Sequence, residues 1–189
     1  MVLIIGLGNP GARYLLTRHN LGFMAVHHFL ISCGNPPMRE KFQSVISQFK
    51  LDGNDVMFAL PQTYMNLSGV AVKTIMEYFK IEQDKLLVIH DDVDQEFGLI
   101  KFQKDRGDGG HKGIRSIHDS LGTQDYARLK LGVGRPQIPE MDVSDYVLQE
   151  FSGEEKKSIP AILEKSADAI ESFLVDGFEK SINRFNRRD

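Results

Sequence analysis

Hydrophobic and polar positions along the chain alternate in short blocks that predict strands followed by helices. The apolar runs at residues 2–5 and 86–89 end at glycine or at polar residues, which is typical of strands buried on both faces of a sheet. Alternation over residues 127–133 predicts a half-buried strand. Apolar residues at helical spacing follow the first strand, and they recur over residues 159–174, a long amphipathic helix that Gly177 ends.

A hairpin interrupts this order of strands and helices. Val45, Phe49 and Leu51 stand at even spacing, and a second apolar segment follows at residues 55–60, across the glycine-containing turn Asp52-Gly53-Asn54. Because a hairpin pairs its strands antiparallel, the sheet is expected to be mixed rather than purely parallel. The pattern therefore predicts an α/β fold in a single domain, residues 1–189, with a mixed, mostly parallel, twisted sheet flanked by helices.

Composition places the chain among ordinary globular proteins. Apolar residues make up 41% and charged residues 26% of it, close to globular averages. We expect no membrane association, because no stretch approaches the roughly 18 consecutive apolar residues of a membrane span, and no signal peptide pattern is visible. Cys33 is the single cysteine, so an internal disulfide is excluded and a reducing cytoplasm is the expected location.

Charge is unevenly distributed along the chain. The formal net charge of −3 argues against bulk nucleic-acid binding, but residues 101–135 contain eight basic residues against four acidic ones. A basic stretch on an acidic body positions a polyanion locally, whereas the plainer interpretation is a solvated loop, and charge alone leaves both open. A solvated face is favoured for the basic residues near the C-terminus, which are Lys180, Arg184, Arg187 and Arg188.

Polar side chains cluster in loops that follow the predicted strands. Asn9 and His19 follow the first strand, Asn66 follows the hairpin, and Asp91 ends the run at residues 86–89. Because the ends of parallel strands converge on one edge of a sheet, we expect these side chains to meet in one cleft. A carboxylate that accepts a hydrogen bond from one imidazole nitrogen leaves the other nitrogen basic and oriented, so His19 is a candidate general base beside Asp91.

Three other chemistries have weaker support. Gly6-Leu7-Gly8-Asn9-Pro10-Gly11 fits the Gly-x-Gly-x-x-Gly pattern of dinucleotide sites, but Pro10 interrupts the turn and the helix begins well after the third glycine. The sequence has no Gly-x-Ser-x-Gly element of the kind that serine hydrolases use. His90-Asp91-Asp92 has metal-ligand side chains without a characteristic spacing, so no metal is expected.

The ordered motifs resemble those of the bacterial-type peptidyl-tRNA hydrolases. The resemblance covers nearly the whole chain, and several motifs of this length in one order are far more specific than a single glycine pattern. The matching segments are Gly6-Leu7-Gly8-Asn9-Pro10-Gly11, Tyr14, Thr17-Arg18-His19-Asn20-Leu21-Gly22, Pro61-Gln62-Thr63-Tyr64-Met65-Asn66-Leu67-Ser68-Gly69, His90-Asp91-Asp92-Val93-Asp94, Gly109-Gly110-His111-Lys112-Gly113, Arg128-Leu129-Lys130-Leu131-Gly132-Val133-Gly134-Arg135-Pro136 and Tyr146-Val147-Leu148.

This resemblance implies an enzyme that cleaves the ester between a peptide and the 3′ ribose of tRNA, and so recycles tRNA from stalled translation. It implies no metal or organic cofactor, a monomer, and peptidyl-tRNA as the partner. His19 would be the general base, Asp91 would hold and polarise it, and Asn9 would stabilise the oxyanion near the scissile carbonyl. The residues that it suggests for binding substrate and tRNA are Tyr14, Asn20, Met65, Asn66, Lys104, Lys112 and Lys130.

The chain departs from the family's pattern in two places. Lys112 replaces the usual Asn of the Gly-Gly-His-Asn-Gly loop, an Asn associated with the substrate and the catalytic water. Among the basic tRNA contacts, Gln103 replaces the common Lys and Lys130 the common Arg. Lys112 leaves open a second function, a non-catalytic RNA-binding protein on the same fold. Positive charge that could compensate at the tRNA contacts lies at Lys101, Lys104 and Arg106.

Overall fold

The computed structural model describes residues 1–138 and 140–187, which form seven strands and six α-helices joined by loops and short 3₁₀ turns. The strands are β1 (Val2–Gly6), β2 (Arg39–Lys41), β3 (Ser44–Leu51), β4 (Asn54–Pro61), β5 (Leu86–Asp92), β6 (Ile100–Gln103) and β7 (Ala127–Gly132). The helices are α1 (Leu21–Ser32), α2 (Ser68–Phe79), α3 (Lys112–Leu121), α4 (Val143–Val147), α5 (Gly153–Asp176) and α6 (Phe178–Phe185).

All seven strands belong to one sheet, in the order β2-β3-β4-β1-β5-β7-β6. The four central strands β4, β1, β5 and β7 run parallel, while β2, β3 and β6 pair antiparallel with their neighbours. The predicted hairpin is β3 and β4, closed in register from Leu51 opposite Asn54. The predicted α/β class and mixed, mostly parallel sheet are therefore confirmed.

The buried strands pack helices against both faces of the sheet. On β1, Ile4 contributes to the core under α1 and α5, while Leu3 and Ile5 contribute to the core under α2 and α3. All three side chains are fully buried, which is why the run reads as continuously apolar instead of alternating. The described helices include none with an apolar stretch of the length needed to cross a bilayer.

The parallel arrangement places the carboxyl ends of β1, β4, β5 and β7 at one edge of the sheet, and α1 begins there. The start of α1 packs closely against that edge, as Gly22 shows: a Cβ at this position would lie 2.4 Å from the carbonyl oxygen of Ile89. Only glycine permits this approach. It fixes the preceding 3₁₀ turn, Arg18–Asn20, beside the end of β5.

The C-terminal basic residues lie away from that edge. Asn186, just after α6, exchanges two hydrogen bonds with the backbone of Phe102 on the outer strand β6. Lys180 and Arg184 are exposed on α6, as a solvated face requires. Arg188, which was grouped with them, lies outside the described residues.

Candidate active site

A cleft of about 940 Å³ opens at the carboxyl edge of the sheet. Asn9 comes to it from the loop after β1, His19 from the turn before α1, Asn66 from the turn before α2, and Asp91 from the end of β5. The structure thus brings together the four side chains that the sequence places after successive strands. Their common position follows from the parallel pairing of β4, β1 and β5.

His19 and Asp91 form the centre of the site. Nδ1 of His19 lies 2.9 Å from Oδ1 and 3.1 Å from Oδ2 of the Asp91 carboxylate. Because an ionised carboxylate only accepts hydrogen bonds, this contact puts the imidazole proton on Nδ1. Nε2 of His19 then carries the lone pair, in a ring that lines the cleft.

The turn that carries His19 is anchored from behind by Arg18. The Arg18 guanidinium forms an ion pair of 2.6 Å with Glu155 in the first turn of α5, and it donates to the carbonyl of Glu150 at 2.8 Å. Its side chain is only 6% exposed. The His19 imidazole is therefore held in place from two directions. Asp91 contacts it on the cleft side, and Arg18 ties the turn that carries it to α5.

His111 is a third member of this group, and the sequence analysis gave it no role. Its Nε2 lies 3.0 Å from the same Oδ1 of Asp91. Its Nδ1 accepts the backbone N–H groups of Gly113 at 3.1 Å and Ile114 at 3.2 Å, which caps α3. Since Nδ1 is an acceptor, the proton of the neutral ring is on Nε2, and His111 donates it to Asp91.

The two imidazoles keep the buried carboxylate ionised. Burial alone raises the pKa of Asp91, but the charge interactions and hydrogen bonds of His19 and His111 together outweigh it and hold the pKa well below its usual range. Burial lowers the pKa of His111, with Asp91 opposing only in part. Burial also lowers the pKa of His90, whose Nδ1 donates to the carbonyl of Asp91 at 2.7 Å. His90 is therefore neutral at neutral pH, and burial disfavours the imidazolium form of His111.

Asn9 is held rigidly, with one group left for a ligand. Its backbone N–H donates to Oδ1 of Asn20 at 2.9 Å, and its carbonyl accepts from Nδ2 of Asn20 at 3.0 Å. Its own Oδ1 accepts the backbone N–H of Met65 at 2.9 Å. The amide donor Nδ2 has no partner among residues 1–138 and 140–187, and the side chain lines the cleft.

Asn20 has a different position from the one expected of a substrate-binding residue. It is 1% exposed, and both polar atoms of its side chain are used by the Asn9 backbone. Asn20 is predicted to bind substrate, and in the structure its side chain reaches the cleft only through Asn9. Met65 is likewise 4% exposed, and it offers the cleft an apolar wall beside Gly113.

Tyr14 and Asn66 lie at the rim. Asn66 is exposed and Tyr14 is half-buried, and both line the cleft. Exposed apolar side chains continue the rim on either side, including Tyr64 and Leu148 at 56% and 42% exposure. The rim therefore offers amide and aromatic contacts to a ligand that extends beyond His19 and Asp91.

Lys112 begins α3 directly after His111, and its exposed side chain lines the cleft mouth. Asp142 stands across the mouth at the start of α4. Hydrogen bonds from Ser144 lower the pKa of Asp142, and the charge of Lys112 acts in the same direction. The Lys112 ammonium is thus close enough to Asp142 for its charge to act there. The carboxylates at the inner end of the cleft, Asp91 and Asp92, are paired with other residues.

The basic stretch is less available than its sequence suggests. Lys130 is 18% exposed and forms an ion pair with Asp92, and burial lowers its pKa. Lys104 pairs with Asp125 at 3.1 Å. Arg128 is 1% exposed, so it cannot present its charge to an external phosphate. The exposed cations of this stretch with no ion pair among residues 1–138 and 140–187 are Lys101, Arg106 and Lys112.

The group His19, Asp91 and His111 has the residue types of a metal site, with ligand atoms within 4.8 Å of one another. The protons argue for a different use. Nδ1 of His111 already accepts two backbone N–H groups, so a metal at Nε2 would displace the remaining proton and leave an imidazolate. The three side chains fit a hydrogen-bonded chain better than a coordination sphere.

Comparisons with known proteins assign the chain to a family. The sequence model of the family described as peptidyl-tRNA hydrolase matches residues 3–189. The chain belongs to the peptidyl-tRNA hydrolase family. As a member of it, the chain is a hydrolase.

Individual relatives match over essentially their whole length. The peptidyl-tRNA hydrolase of Bdellovibrio bacteriovorus is 51% identical over 98% of this chain and 100% of its own length. That of Syntrophotalea carbinolica is 43% identical over 100% of this chain and 98% of its own length. The crystal structure of peptidyl-tRNA hydrolase from Acinetobacter baumannii superposes with a TM-score of 0.92 at 30% identity, covering 100% of this chain and 96% of that one.

Proposed function

We propose that the cleft hydrolyses the ester between a peptide and the 3′ ribose of tRNA, with His19 as the general base. The observation that carries this proposal is the Asp91–His19 contact, which fixes the proton on Nδ1 and leaves Nε2 as a base beside the cleft. Membership of the peptidyl-tRNA hydrolase family supplies the substrate class. We propose that residues 1–189 act as one domain in this reaction.

The proton path follows from these positions. Nε2 of His19 takes a proton from water as the water oxygen attacks the ester carbonyl, and the imidazolium that forms is stabilised by Asp91. The tetrahedral intermediate then expels the ribose 3′ oxygen, which receives the same proton from His19. The free peptide acid and tRNA leave with all protons balanced, and an ester needs no stronger activation than an oriented base and a hydrogen-bond donor.

Asn9 is proposed to stabilise the oxyanion. Because Asn20 and Met65 occupy its other polar groups, its Nδ2 can only donate outward, which is the direction needed for charge that develops on the carbonyl oxygen. A donor held in place before the reaction costs no reorganisation when the charge appears. Asn20 is a positioning residue in this scheme.

The rim is proposed to bind the ends of the substrate. Asn66 and Tyr14 lie where the 3′ terminal nucleotide and the peptide leave the catalytic centre, and Met65 forms the apolar wall. Lys112 would bind a phosphate of the acceptor end, because its exposed head reaches the mouth and a lysine ammonium cannot accept a hydrogen bond from water as an asparagine oxygen can. We propose contacts of tRNA with Lys104 and Lys130 only after their ion pairs with Asp125 and Asp92 open.

Peptidyl-tRNA is an intermediate of translation, so we propose that the protein works as a cytoplasmic monomer that recycles tRNA from stalled synthesis. One observation favours a second function, an RNA-binding protein with lost catalysis. Lys112 replaces the amide that the family uses near the catalytic water. The two functions differ in one measurable property, turnover of the ester.

Hydrolysis of a purified N-blocked aminoacyl-tRNA tests the proposal. The wild-type protein should release the N-blocked amino acid, and His19→Ala should lose about 10²–10⁴-fold in kcat, the range of a general base, with tRNA binding retained. His28→Ala is the matched control, because His28 is a surface histidine paired with Glu164 on the far helix α5. Binding without turnover in the wild type would favour the second function.

A further inference from the structure

The loop at residues 104–110 is held in shape by a buried arginine. Arg128, on β7, is among the largest fully buried side chains, at 1% exposure. Its two Nη groups donate to the carbonyls of Arg106 at 2.7 Å and Gly107 at 2.9 Å. The guanidinium thus binds two successive carbonyls of the loop that forms one wall of the cleft.

No carboxylate forms a direct ion pair with Arg128 within the described part of the chain, although the charge of Asp108 acts on it from a greater distance. Burial lowers the pKa of Arg128, and its Nε is buried without a partner among residues 1–138 and 140–187. A buried guanidinium is costly unless its hydrogen bonds repay the desolvation. The bonds that it makes go to the loop, so the stabilisation that it provides acts on the shape of the loop.

A second anchor closes the same loop from the solvent side. The Asp108 carboxylate accepts the backbone N–H of Gly110 at 2.6 Å and Nε of Arg115, on α3, at 3.2 Å. Just before the first anchor, Asp105 adopts φ of 50°, a left-handed conformation that residues other than glycine seldom take. The loop therefore has one defined shape, and Arg106 is exposed on it without an ion pair among the described residues.

We propose that Arg128 is a positioning residue for tRNA binding, which holds residues 104–110 in the shape that contacts the phosphate backbone. This proposal rests on the proposed hydrolysis of peptidyl-tRNA. Arg128 contributes through the geometry of its two-nitrogen fork, whereas Arg106 contributes charge. The two roles make opposite predictions for conservative substitutions.

Arg128→Lys is the test variant, because it retains the positive charge but replaces two nitrogens by one. We expect KM for peptidyl-tRNA to rise by about tenfold, the scale of one lost charge-assisted hydrogen bond, with kcat unchanged. The slope of log affinity against log salt should stay at the wild-type value. Arg106→Gln is the matched control and should lower that slope by about one unit, as expected for one lost phosphate contact.

Asp108→Ala keeps the proposal testable if Arg128 variants fail to fold. It loosens the loop at its exposed anchor and removes a negative charge. If the shape of the loop matters, KM of Asp108→Ala for peptidyl-tRNA should rise. If charge alone matters, KM should fall, because the variant lacks a negative charge that repels the polyanionic tRNA. Amide hydrogen exchange over residues 105–110 should speed up in both variants.

The outcomes separate this proposal from the function on which it rests. A wild-type protein that does not hydrolyse N-blocked aminoacyl-tRNA overturns the proposed function. An active wild type with unchanged KM in Arg128→Lys, or with a lowered KM in Asp108→Ala, overturns the positioning role alone. A short N-acetylaminoacyl ester of adenosine, which lacks the tRNA body, should be hydrolysed equally by wild type and both variants.

Discussion

Replacing Asp91 by asparagine changes the position of the His19 proton while keeping the shape of the side chain. His111 can only donate from Nε2, because its Nδ1 accepts two backbone N–H groups. His111 therefore keeps its hydrogen bond by donating to the single side-chain oxygen of an asparagine at position 91. The new NH₂ group then faces Nδ1 of His19, where Oδ2 of Asp91 accepts at 3.1 Å. Two donors cannot face each other, so the His19 proton moves to Nε2 and the base is lost from the cleft.

The magnitude follows from the charge that is removed. Two unit charges about 4 Å apart interact by about 4 kcal/mol at an effective dielectric constant of 20. That is the stabilisation that Asp91 gives to the imidazolium of His19 in the transition state, and at 1.36 kcal/mol per decade it corresponds to a loss of about 10³-fold in kcat. The shift of the His19 proton to Nε2 lowers kcat further.

Single-turnover hydrolysis of N-blocked aminoacyl-tRNA by excess enzyme measures this loss without a contribution from product release. Asp94→Asn is the matched control, because Asp94 lines the same cleft but is exposed and bonded to Arg135. The double variant with His19→Ala should be no slower than His19→Ala alone, since both residues act through one proton. A loss of kcat below about tenfold, which is well under the roughly 10²–10⁴-fold that a general base supplies, or a loss confined to KM, would refute the reasoning.

Three further predictions use other parts of the site. Asn9→Asp keeps the acceptor for the Met65 N–H but removes the donor that faces the cleft, so kcat should fall about 10²–10³-fold. The control Asn54→Asp, at an exposed position, should keep the wild-type kcat, and equal kcat in the two variants would contradict the prediction. Lys112→Asn should leave turnover unchanged or raised and weaken tRNA affinity slightly, and a large fall in turnover contradicts it. Because burial keeps His90 neutral in the fold, the protein takes up a proton there on unfolding, so the free energy of unfolding falls as pH drops below about 6.5. In urea titrations His90→Gln should make this slope shallower by up to about 1.4 kcal/mol per pH unit, and an unchanged slope contradicts it.

The position of the site could be predicted from the sequence because it depends on chain direction. Parallel strands must present their carboxyl ends at one edge, so side chains placed after the runs at residues 2–5 and 86–89 had to meet there. Asn9, His19 and Asp91 do so. The short edge strand β2 (Arg39–Lys41) has exposed charged residues and no apolar pattern, and it forms only because β3 offers an open edge.

Hydrogen-bond direction could not be predicted in the same way. His111 stands in a matched motif, yet its bond to Asp91 depends on the N–H groups at the start of α3, which exist only once that helix forms. Asn20 has the residue type of a ligand contact, but its amide faces Asn9. A count of charges along the chain could not show that Lys130 is paired and Arg128 is buried, because pairing and burial depend on the folded arrangement.

The directions of these bonds decide what the centre of the site can do. Asn20 and Met65 use three of the four polar groups of Asn9, and Asp91 uses one nitrogen of His19. Of these two side chains, one donor, Asn9 Nδ2, and one acceptor, His19 Nε2, remain without a partner among the described residues and available to the cleft. A donor suits an oxygen that becomes negative, and an acceptor suits a water that must lose a proton. Because each free group is left over by bonds that other residues impose, a change at Asn20 or His111 should alter the chemistry without a direct contact between the changed residue and the substrate.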